Sequence, residues 1–381
     1  MSPKLSYKIF TSAASLPQEW DTIAVKNIFL SKSYMQVLES SSPANMECHF
    51  VALYKNSILC GIGVVQYINL SRINTFGEEI KKKFSLKDYI FKKFSSHTLI
   101  LGNNKLTGQN AYLLANTITE NEALALFRKT LKKLKKEYLK KCVHINLVSV
   151  KDFNQTEFPD FKTAGFKNYY RFCTQPNMIF HIHPEWKDIE DYLTALNTKY
   201  RTQYNRARKK AEGVEKRKLT EEDILKHEER IHELYLTVAS NAPFNTFFLP
   251  KGHFHTLKQQ LKENFRFYGY FLNDQLVGFS TLVKNNHDMD TYFLGYDESV
   301  QKEKMLYLNM LYDMVAYAVK KDFKHVIFAR SAMEIKSSVG ARPEEVFGII
   351  KHSNALVNTF MSRLFPYFDP KIEWKQRNPF K

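Results

Sequence analysis

Glycine and proline are scarce in this chain, which contains 13 and 12 of them among 381 residues. This scarcity excludes collagen-like repeats and long disordered tracts rich in Pro and Gly. Cysteine is rare as well: the four residues, at positions 48, 60, 142 and 173, form no Cys-x-x-Cys pair. No histidine cluster stands beside them at metal-ligand spacing. We therefore expect no metal, no disulfide framework and a reducing compartment.

Long apolar runs are also absent. The first 16 residues lack the apolar core of a secretory signal. The longest weakly polar run, Ser57 to Leu70, is too short to span a bilayer and contains Gln66 and Asn69. These absences predict a cytoplasmic protein, and they leave open a peripheral position at the inner membrane. The length and the 44% of hydrophobic residues are enough for two packed cores.

Positive charge dominates the chain, whose formal net charge is +17. A chain this basic usually meets an acidic partner, such as nucleic acid, anionic lipid, a phosphorylated cofactor or an acidic carrier protein. The alternative is that the lysines serve only to solvate the surface. Clustering of the basic residues favours a partner.

A weak internal repeat predicts the architecture. Residues 50–62 read FVALYKNSILCGI, and residues 267–279 read FYGYFLNDQLVGF. Each stretch predicts two strands joined by a two-residue turn, Asn56-Ser57 or Asn273-Asp274, of a kind that tolerates positive φ. The glycine in each second strand, Gly61 or Gly278, indicates a bulge or a close backbone approach.

Both copies continue in the same way. A helix over about 122–141 precedes a strand over 144–150, and a helix over 304–321 precedes a strand over 325–329. The interval from the glycine to the later strand is longer in the first copy, which predicts a basic insertion near residues 71–97. We place the domain boundary near residue 181, giving domains 1–180 and 181–381. This order favours an α/β fold of mixed α+β character over a doubly wound sheet.

The predicted order resembles two tandem domains of the Gcn5-related N-acetyltransferase (GNAT) fold, each a mixed, mostly antiparallel sheet flanked by helices. Several segments resemble Fem-type (FemABX-like) peptidoglycan aminoacyltransferases in particular. They are the basic helix LNTKYRTQYNRARKKAEGVEKR (196–217), the strands YGYFLNDQLVGFSTLV (268–283) and TYFLGYD (291–297), and ARSAMEIKSSVGARPEEV (329–346). In the last, Lys336 precedes Gly340-Ala341 as in a K-x-x-x-G-[AF] element.

The resemblance implies an acyltransferase of the acyl-CoA N-acyltransferase superfamily, with the active cleft in the second domain. Many GNAT proteins hold pyrophosphate on a glycine-rich loop at a helix N-terminus. The matching region here, DESVQKEK (297–304), contains no glycine. We therefore expect no tightly bound cofactor and a donor that is acyl-CoA or acyl carrier protein, with aminoacyl-tRNA as the alternative.

The resemblance also suggests where the site lies. Backbone N–H groups exposed where two central strands part can polarise an acyl carbonyl, and here those strands are 289–296 and 325–330. The candidates for proton relay or acceptor binding are Tyr292, Tyr296, Asp297 and Glu334. Each tyrosine has the alternative of a half-buried strand residue, Asp297 that of a cap, and Glu334 that of a surface ion pair.

Donor binding is predicted for basic residues on two segments. The helix over 199–212 has nine basic and two acidic residues when extended to Lys218, and its packing face is Tyr200, Tyr204, Ala207 and Ala211. Its remaining face is typical of an anion-binding surface, against the alternative of a solvated face. The predicted donor ligands are Lys199, Arg201, Arg206, Arg330 and Lys336.

Three further segments have weaker signals. The loop LGNNKLTG (101–108) offers Asn103, Asn104 and Thr107 to a polar substrate, or is a plain hairpin loop. The basic and aromatic run 81–94 suits an anionic membrane surface or packs on the first domain. The basic stretch 128–141 is predicted to be a packed helix whose leucines at 131, 134 and 139 face inward.

We thus expect an N-acyltransferase that acylates an amine of an envelope- or lipid-related acceptor. An aminoacyl-tRNA-dependent enzyme that extends a peptidoglycan precursor is the second hypothesis. A non-catalytic module that binds RNA or anionic lipid is the third.

Overall fold

The computed structural model describes residues 3–71, 95–242, 245–368 and 373–381. The predicted insertion and the basic run 81–94 lie almost entirely outside the described residues. The chain divides into two compact units. Unit 1 comprises residues 1–175, 246–250 and 345–371, and unit 2 comprises residues 176–245, 251–344 and 372–381.

Unit 1 contains an eight-stranded sheet in the order β1-β2-β3-β4-β6-β15-β7, with β5 paired to β3. Its strands are β1 (Leu5–Phe10), β2 (Met46–Lys55), β3 (Ile58–Asn69), β4 (His97–Leu101), β5 (Tyr112–Leu114), β6 (Leu147–Asn154), β7 (Tyr170–Cys173) and β15 (Val346–His352). Its helices are α1 (Trp20–Ala24), α2 (Lys32–Ser40), α3 (Glu120–Lys140), α12 (Ala355–Thr359) and α13 (Met361–Phe368).

Unit 2 contains a seven-stranded sheet in the order β14-β8-β13-β12-β11-β10-β9. Its strands are β8 (Asn177–His181), β9 (Val214–Lys218), β10 (Phe265–Leu272), β11 (Gln275–Asn285), β12 (Asp288–Tyr296), β13 (His325–Ala329) and β14 (Arg342–Glu344). Its helices are α4 (Ile189–Ala195), α5 (Thr198–Lys210), α6 (Glu221–Lys226), α7 (Glu228–Ser240), α8 (His253–Leu261), α9 (Glu298–Lys304), α10 (Leu306–Lys320) and α11 (Met333–Ser338).

The repeat predicted from the sequence is present in both sheets. The turn residues Asn56 and Ser57 have φ values of 51° and 67°, and Asn273 and Asp274 have φ values of 50° and 59°. Two consecutive positive φ angles are the signature of the type I′ turn that joins twisted strands. A bulge lies directly before the glycine in each second strand, since the register shifts there in both hairpins.

Each sheet contains one parallel pair, and the remaining pairs are antiparallel. The parallel pairs are β4 with β6 in unit 1 and β12 with β13 in unit 2. A parallel neighbour requires a crossover connection, which is supplied by α3 in unit 1 and by α9 and α10 in unit 2. Both crossovers pack apolar faces: Leu124, Phe127, Leu131 and Leu134 of α3 are buried, as are Leu308, Leu311, Tyr312 and Val315 of α10.

The unit boundaries differ from the predicted single break near residue 181. The chain leaves unit 1 after residue 175, and residues 345–371 return to it. The cause is β15, which pairs with both β6 and β7 and so completes the first sheet. Pairing between strands so distant in the chain carries no local sequence signal.

Candidate functional site

The central strands of unit 2 part from each other soon after they meet. β12 and β13 pair in parallel only at Asp288–His325, Met289–Val326 and Asp290–Ile327. Beyond that point the Thr291 hydroxyl still donates to the Ile327 carbonyl at 3.0 Å. The rest of β12 continues alongside β11 as far as Tyr296. The predicted parting of these two strands is therefore present.

A bulge in β12 lies at the parting. Leu282 of β11 is opposite Thr291 and Ser280 is opposite Leu294, so Tyr292 and Phe293 both face the single residue Thr281. The Thr281 hydroxyl donates to the Phe293 carbonyl at 2.5 Å. Bulges are common beside active sites, where they redirect a side chain.

Tyr292 is paired with a histidine that the sequence analysis missed. The Nε2 atom of His253, at the start of α8, lies 3.0 Å from the Tyr292 hydroxyl, and the two rings stack with centroids 5.8 Å apart. His253 is fully buried. A tyrosine and a histidine in hydrogen-bond contact can pass a proton between them. Nothing in the local sequence around His253 marks this contact, because its partner is 39 residues away.

A second missed group is Asp290, at the last paired position before the strands separate. Its carboxyl group is buried, and burial, assisted by the nearby Asp288 charge, raises its pKa to about 7. The Asn285 amide donates to it at 3.4 Å. A carboxyl group with this pKa can exchange protons near neutrality, as a general base does.

The other predicted catalytic residues of β12 are engaged in local structure. Tyr296 is half-buried, its ring lies 6.1 Å from that of Tyr307, and burial raises its pKa. Asp297 caps α9 by accepting from the Ser299 amide at 3.0 Å, and it pairs with Arg230 at 3.1 Å. Hydrogen bonds from Ser299 and Arg230 hold the pKa of Asp297 below its usual value.

The start of α9 is consequently closed to an anion by its own carboxylates. Asp297 is the N-cap residue, and Glu298 stands in the first turn and accepts from the Asn241 amide at 2.9 Å. The crossover helix of unit 1 is closed in the same way, because Thr119 and Glu122 form a capping box at the start of α3. A pyrophosphate bound at either helix N-terminus would displace these caps.

Lys336 has a different position from the one predicted. Its ammonium group is buried and donates to the carbonyl oxygens of Phe328 at 2.6 Å, Ala329 at 3.2 Å and Arg330 at 2.7 Å. Burial lowers its pKa to about 7. Three acceptors use all three ammonium donors, so in this conformation Lys336 holds the end of β13 and has no donor left for a phosphate group.

The turn that Lys336 holds is unusual. Ala329, Ser331 and Ala332 have φ values of 57°, 66° and 46°, which residues with a Cβ atom rarely adopt. Arg330 is half-buried within this turn. Glu334 is on the exposed side of α11 and pairs with Arg377, so the predicted alternative of a surface ion pair is present with a different partner.

Three of the four residues of the predicted packing face of α5 pack as expected: Tyr200 and Ala207 are buried, and Tyr204 packs against the core. The fourth, Ala211, is the half-buried residue that caps the end of the helix. Lys199, Arg201 and Arg206 are exposed, together with Lys209 and Lys210. Arg208 points inward instead, donating to Asp313 at 2.8 Å and lying over the Tyr204 ring. By helical spacing, Lys199, Arg206, Lys209 and Lys210 share the solvent-facing side of α5, whereas Arg201 lies on its other flank and donates to the Leu196 carbonyl at 3.0 Å.

In unit 1 the predicted substrate residues make internal contacts. The buried Asn103 donates to the Tyr34 hydroxyl at 3.3 Å and accepts from Gln66 at 3.3 Å. Asn104 donates to the Thr246 hydroxyl at 2.6 Å. The Thr107 carbonyl accepts from Asn110. Substrate binding by these three residues stays a prediction, and their observed contacts are those of a packed loop.

No family model matches the chain, and no curated protein matches it in sequence. In structure it is similar to FemX, with a TM-score of 0.52 and 11% identity over 90% of this chain and 96% of FemX. A tandem GNAT protein from the clavulanic acid biosynthesis pathway gives a TM-score of 0.50 and 9% identity over 92% of this chain and 99% of that one.

A conserved protein of unknown function from Bacteroides thetaiotaomicron is similar to the same degree, with a TM-score of 0.50 and 12% identity over 91% of this chain and 99% of that one. Identities this low show the fold alone. The chain has the tandem GNAT fold, and the prediction of two mixed sheets flanked by helices is confirmed.

Within the described residues, no helix has the length and apolar character needed to cross a membrane, and no three His, Cys, Asp or Glu side chains converge as metal ligands would.

Proposed function

We propose that the chain is an N-acyltransferase and that unit 2 carries out the transfer. The observation that carries this proposal is the separation of β12 from β13 after three residue pairs. Strands that part leave backbone N–H groups without sheet partners, and such donors stabilise the negative charge that develops on an attacked carbonyl oxygen.

In the proposed reaction, the amine nitrogen of the acceptor attacks the donor's thioester carbonyl. A C–N bond forms, the C–S bond breaks, and the sulfur leaves as a thiol after receiving a proton. The attacking amine must lose a proton, and the Tyr292–His253 pair and Asp290 are the groups at the parting that can accept it. No covalent enzyme intermediate is needed.

The donor is proposed to be acyl-CoA or acyl carrier protein, and the acceptor an envelope- or lipid-related amine. Since α3 and α9 begin with side-chain caps, whereas α10 begins without one, the donor's phosphate groups are proposed to be held away from the starts of α3 and α9. The exposed Lys199, Arg201 and Arg206 of α5 are the proposed contact for an acidic carrier. A contact of this kind is sensitive to salt because it releases counterions.

Aminoacyl-tRNA is the alternative donor, and the same α5 surface favours it, because a phosphate backbone would also bind there. Its ester carbonyl would undergo the same attack. The two donors differ in the partner that α5 must recognise, so a direct comparison of donors separates them.

The test is a transfer assay with acyl-CoA, acyl carrier protein and charged tRNA in parallel, using a mixture of amine acceptors and mass spectrometry of the products. Turnover with acyl-CoA or acyl carrier protein that Tyr292→Phe greatly reduces supports the proposal. Turnover with charged tRNA alone would establish the alternative. Salt-sensitive RNA or anionic-lipid binding without turnover from any donor would indicate a non-catalytic module and overturn both.

A further inference from the structure

Unit 1 contains a cavity of about 280 Å³ that lies away from its parted strands. It is formed where the start of β2, the end of β3, the start of β4 and the C-terminus of α3 meet. Its lining residues include Asn45, Glu47, Tyr67, His97, Tyr138 and Lys141. Its volume is just below the range of roughly 300–1,000 Å³ that is common for ligand clefts, so it suits a small metabolite.

Aromatic rings form one wall of this cavity. Tyr67 and Tyr138 stack with centroids 4.4 Å apart, and the His97 ring stacks on Tyr67 at 5.9 Å. The Tyr67 hydroxyl and the His97 Nδ1 atom are 2.7 Å apart. Both tyrosines are nearly fully buried. The wall is therefore rigid, because the tyrosine rings are packed against each other and against neighbouring side chains.

A carboxylate is held at the edge of the aromatic wall. The Tyr138 hydroxyl donates to Glu47 Oε2 at 2.7 Å, and the buried His49 Nε2 lies 2.8 Å from the same hydroxyl. Because Tyr138 gives its proton to Glu47, His49 must donate to Tyr138. Glu47 is exposed and, among the residues that the structure describes, its Oε1 atom accepts no hydrogen bond. One oxygen is fixed and the other is available to a ligand.

A cation lies on the same cavity and is not paired with Glu47. Lys141 caps the C-terminus of α3, and its ammonium group lies over the Tyr138 ring at 5.5 Å from the centroid. Within the described part of the chain, Lys141 and Glu47 form no ion pair with each other. The cavity thus has a positive and a negative group on one aromatic wall, each able to contact a charge of opposite sign.

We propose that this cavity binds a small zwitterion with the size and chemistry of a free α-amino acid. The ligand's ammonium group pairs with Glu47, and its carboxylate pairs with Lys141. The Asn45 side chain, which also lines the cavity, donates to the Asn69 and Thr246 carbonyls and is held in place by them.

The proposal does not depend on the transfer reaction, so the test measures binding. The common L-α-amino acids are titrated into the full chain by calorimetry, with thermal unfolding as a second readout. For the best ligand, the methyl ester removes the carboxylate and the N-acetyl derivative removes the ammonium group. We expect each derivative to bind about tenfold or more weakly than the parent, because each loses a charge-assisted contact.

Three variants assign the contacts within the cavity. Glu47→Gln and Lys141→Met should each weaken binding about tenfold or more, and Tyr138→Phe should weaken it less because the ring remains while Glu47 is released. Glu157→Gln and Lys132→Met are the matched controls, since both side chains are exposed in unit 1 and neither lines the cavity. The controls should bind like the unchanged chain.

The experiment on the unchanged chain needs no variant to fold, so the proposal can be contradicted directly. Absence of binding by any amino acid at millimolar concentration overturns it. Equal binding of the parent and both derivatives also overturns it, because neither charge would then be recognised. Equal binding of the parent and one derivative overturns the zwitterion and leaves a site for a single charge.

Discussion

The two units differ most at the point where their central strands part. Val64 of β3 and Thr281 of β11 are equivalent, because each is the third residue after the repeat glycine. Opposite Thr281 unit 2 has a bulge of two residues, Tyr292 and Phe293. Opposite Val64 unit 1 has a loop over residues 102–111, which leaves at Leu101 and returns at Tyr112. The same position therefore holds a bulge in one unit and a packed loop in the other.

In unit 1, the loop over residues 102–111 fills the space where β4 and β6 part. The Lys151 ammonium of β6 donates to the Leu106 carbonyl, and Asn103 and Lys105 within the loop are buried. The backbone N–H groups at the end of β4, which would have to stabilise the attacked carbonyl oxygen, are therefore followed directly by this packed loop. In unit 2 the strand continues past its bulge. This difference favours unit 2 as the site of transfer.

The strand that leads to the parting, β12 in unit 2 and β4 in unit 1, also differs between the two units. Asp288 and Asp290 of unit 2 occupy the positions of Thr98 and Ile100 in unit 1, as the strand registers show. Unit 1 has no carboxyl group at either position. Unit 2 has a buried carboxyl group, which costs stability and is therefore expected where it has a chemical use.

The largest expected effect is on the rate of transfer. Tyr292→Phe removes the hydroxyl that contacts His253, and we expect kcat to fall about 100-fold, in line with the loss of a proton relay. The matched change in unit 1 is Tyr112→Phe, which removes only a hydroxyl that contacts Glu120 and should leave kcat within about twofold. Steady-state kinetics with the active donor measures both. A larger loss from Tyr112→Phe would reverse the assignment of the units.

The second prediction concerns Asp290 and stability. Its folded pKa is raised to about 7, so between about pH 4 and pH 7 the folded chain binds a proton that the unfolded chain has lost, and stability falls as pH rises. Asp290→Asn should remove this loss, raising the unfolding free energy by about 2–4 kcal/mol at pH 8 and by much less at pH 4. Ile100→Asn in unit 1 should instead destabilise at both pH values. Denaturant unfolding at each pH measures the difference, and equal effects of Asp290→Asn at both would contradict the account.

The third prediction concerns the turn after β13. Lys336→Met leaves three carbonyl groups without their donor, and we expect a loss of about 1–3 kcal/mol. The lowered pKa of Lys336, about 7, also means that from about pH 7 to pH 10 the unfolded chain binds the extra proton, so this group makes stability rise with pH. The variant should lose that rise. Lys320→Met, an exposed lysine at the end of α10, is the control and should keep it.

The smallest effect is expected at the basic surface of unit 2. Changing Lys199, Arg201 and Arg206 together to Gln should raise KM for the carrier-bound donor about tenfold at low salt and flatten its salt dependence. A small thioester that carries the same acyl group but no carrier should react with an unchanged KM. The matched triple on α3 of unit 1 is Lys129, Lys132 and Lys133. If the α3 triple raises KM by the same factor, the lysines and arginines of α5 act only through the net charge of the chain and form no specific contact.

Local structure could be predicted from the sequence, whereas contacts between distant segments mostly could not. The Asn56-Ser57 and Asn273-Asp274 turns and the crossover helices are found, because spacing and turn chemistry over a few residues determine them. The parting of the strands was expected only from the resemblance to the GNAT fold. On α3, however, Leu139 is exposed and Tyr138 is buried, since Tyr138 continues the Leu131–Leu134 face by four residues. The predicted inward face, which was based on the leucines alone, therefore included Leu139 wrongly and omitted Tyr138.

The candidate site shows the same division. Tyr292 was predicted because it stands on an identifiable strand, whereas His253 and the internal bonding of Lys336 depend on how distant segments pack. A lysine four residues before Gly340 looks the same in sequence whether its ammonium group binds a phosphate or three backbone carbonyls. Only the fold distinguishes the two.

Hydrogen exchange of the full chain, with and without a nonreactive analogue of the active donor, tests the central claim most directly. We expect new protection of amides in 291–296 and 325–330 of unit 2, and no change in 98–112 and 147–154 of unit 1. Protection confined to the unit 1 segments would contradict the assignment of transfer to unit 2, because the donor would then bind at the parting that the loop over 102–111 fills.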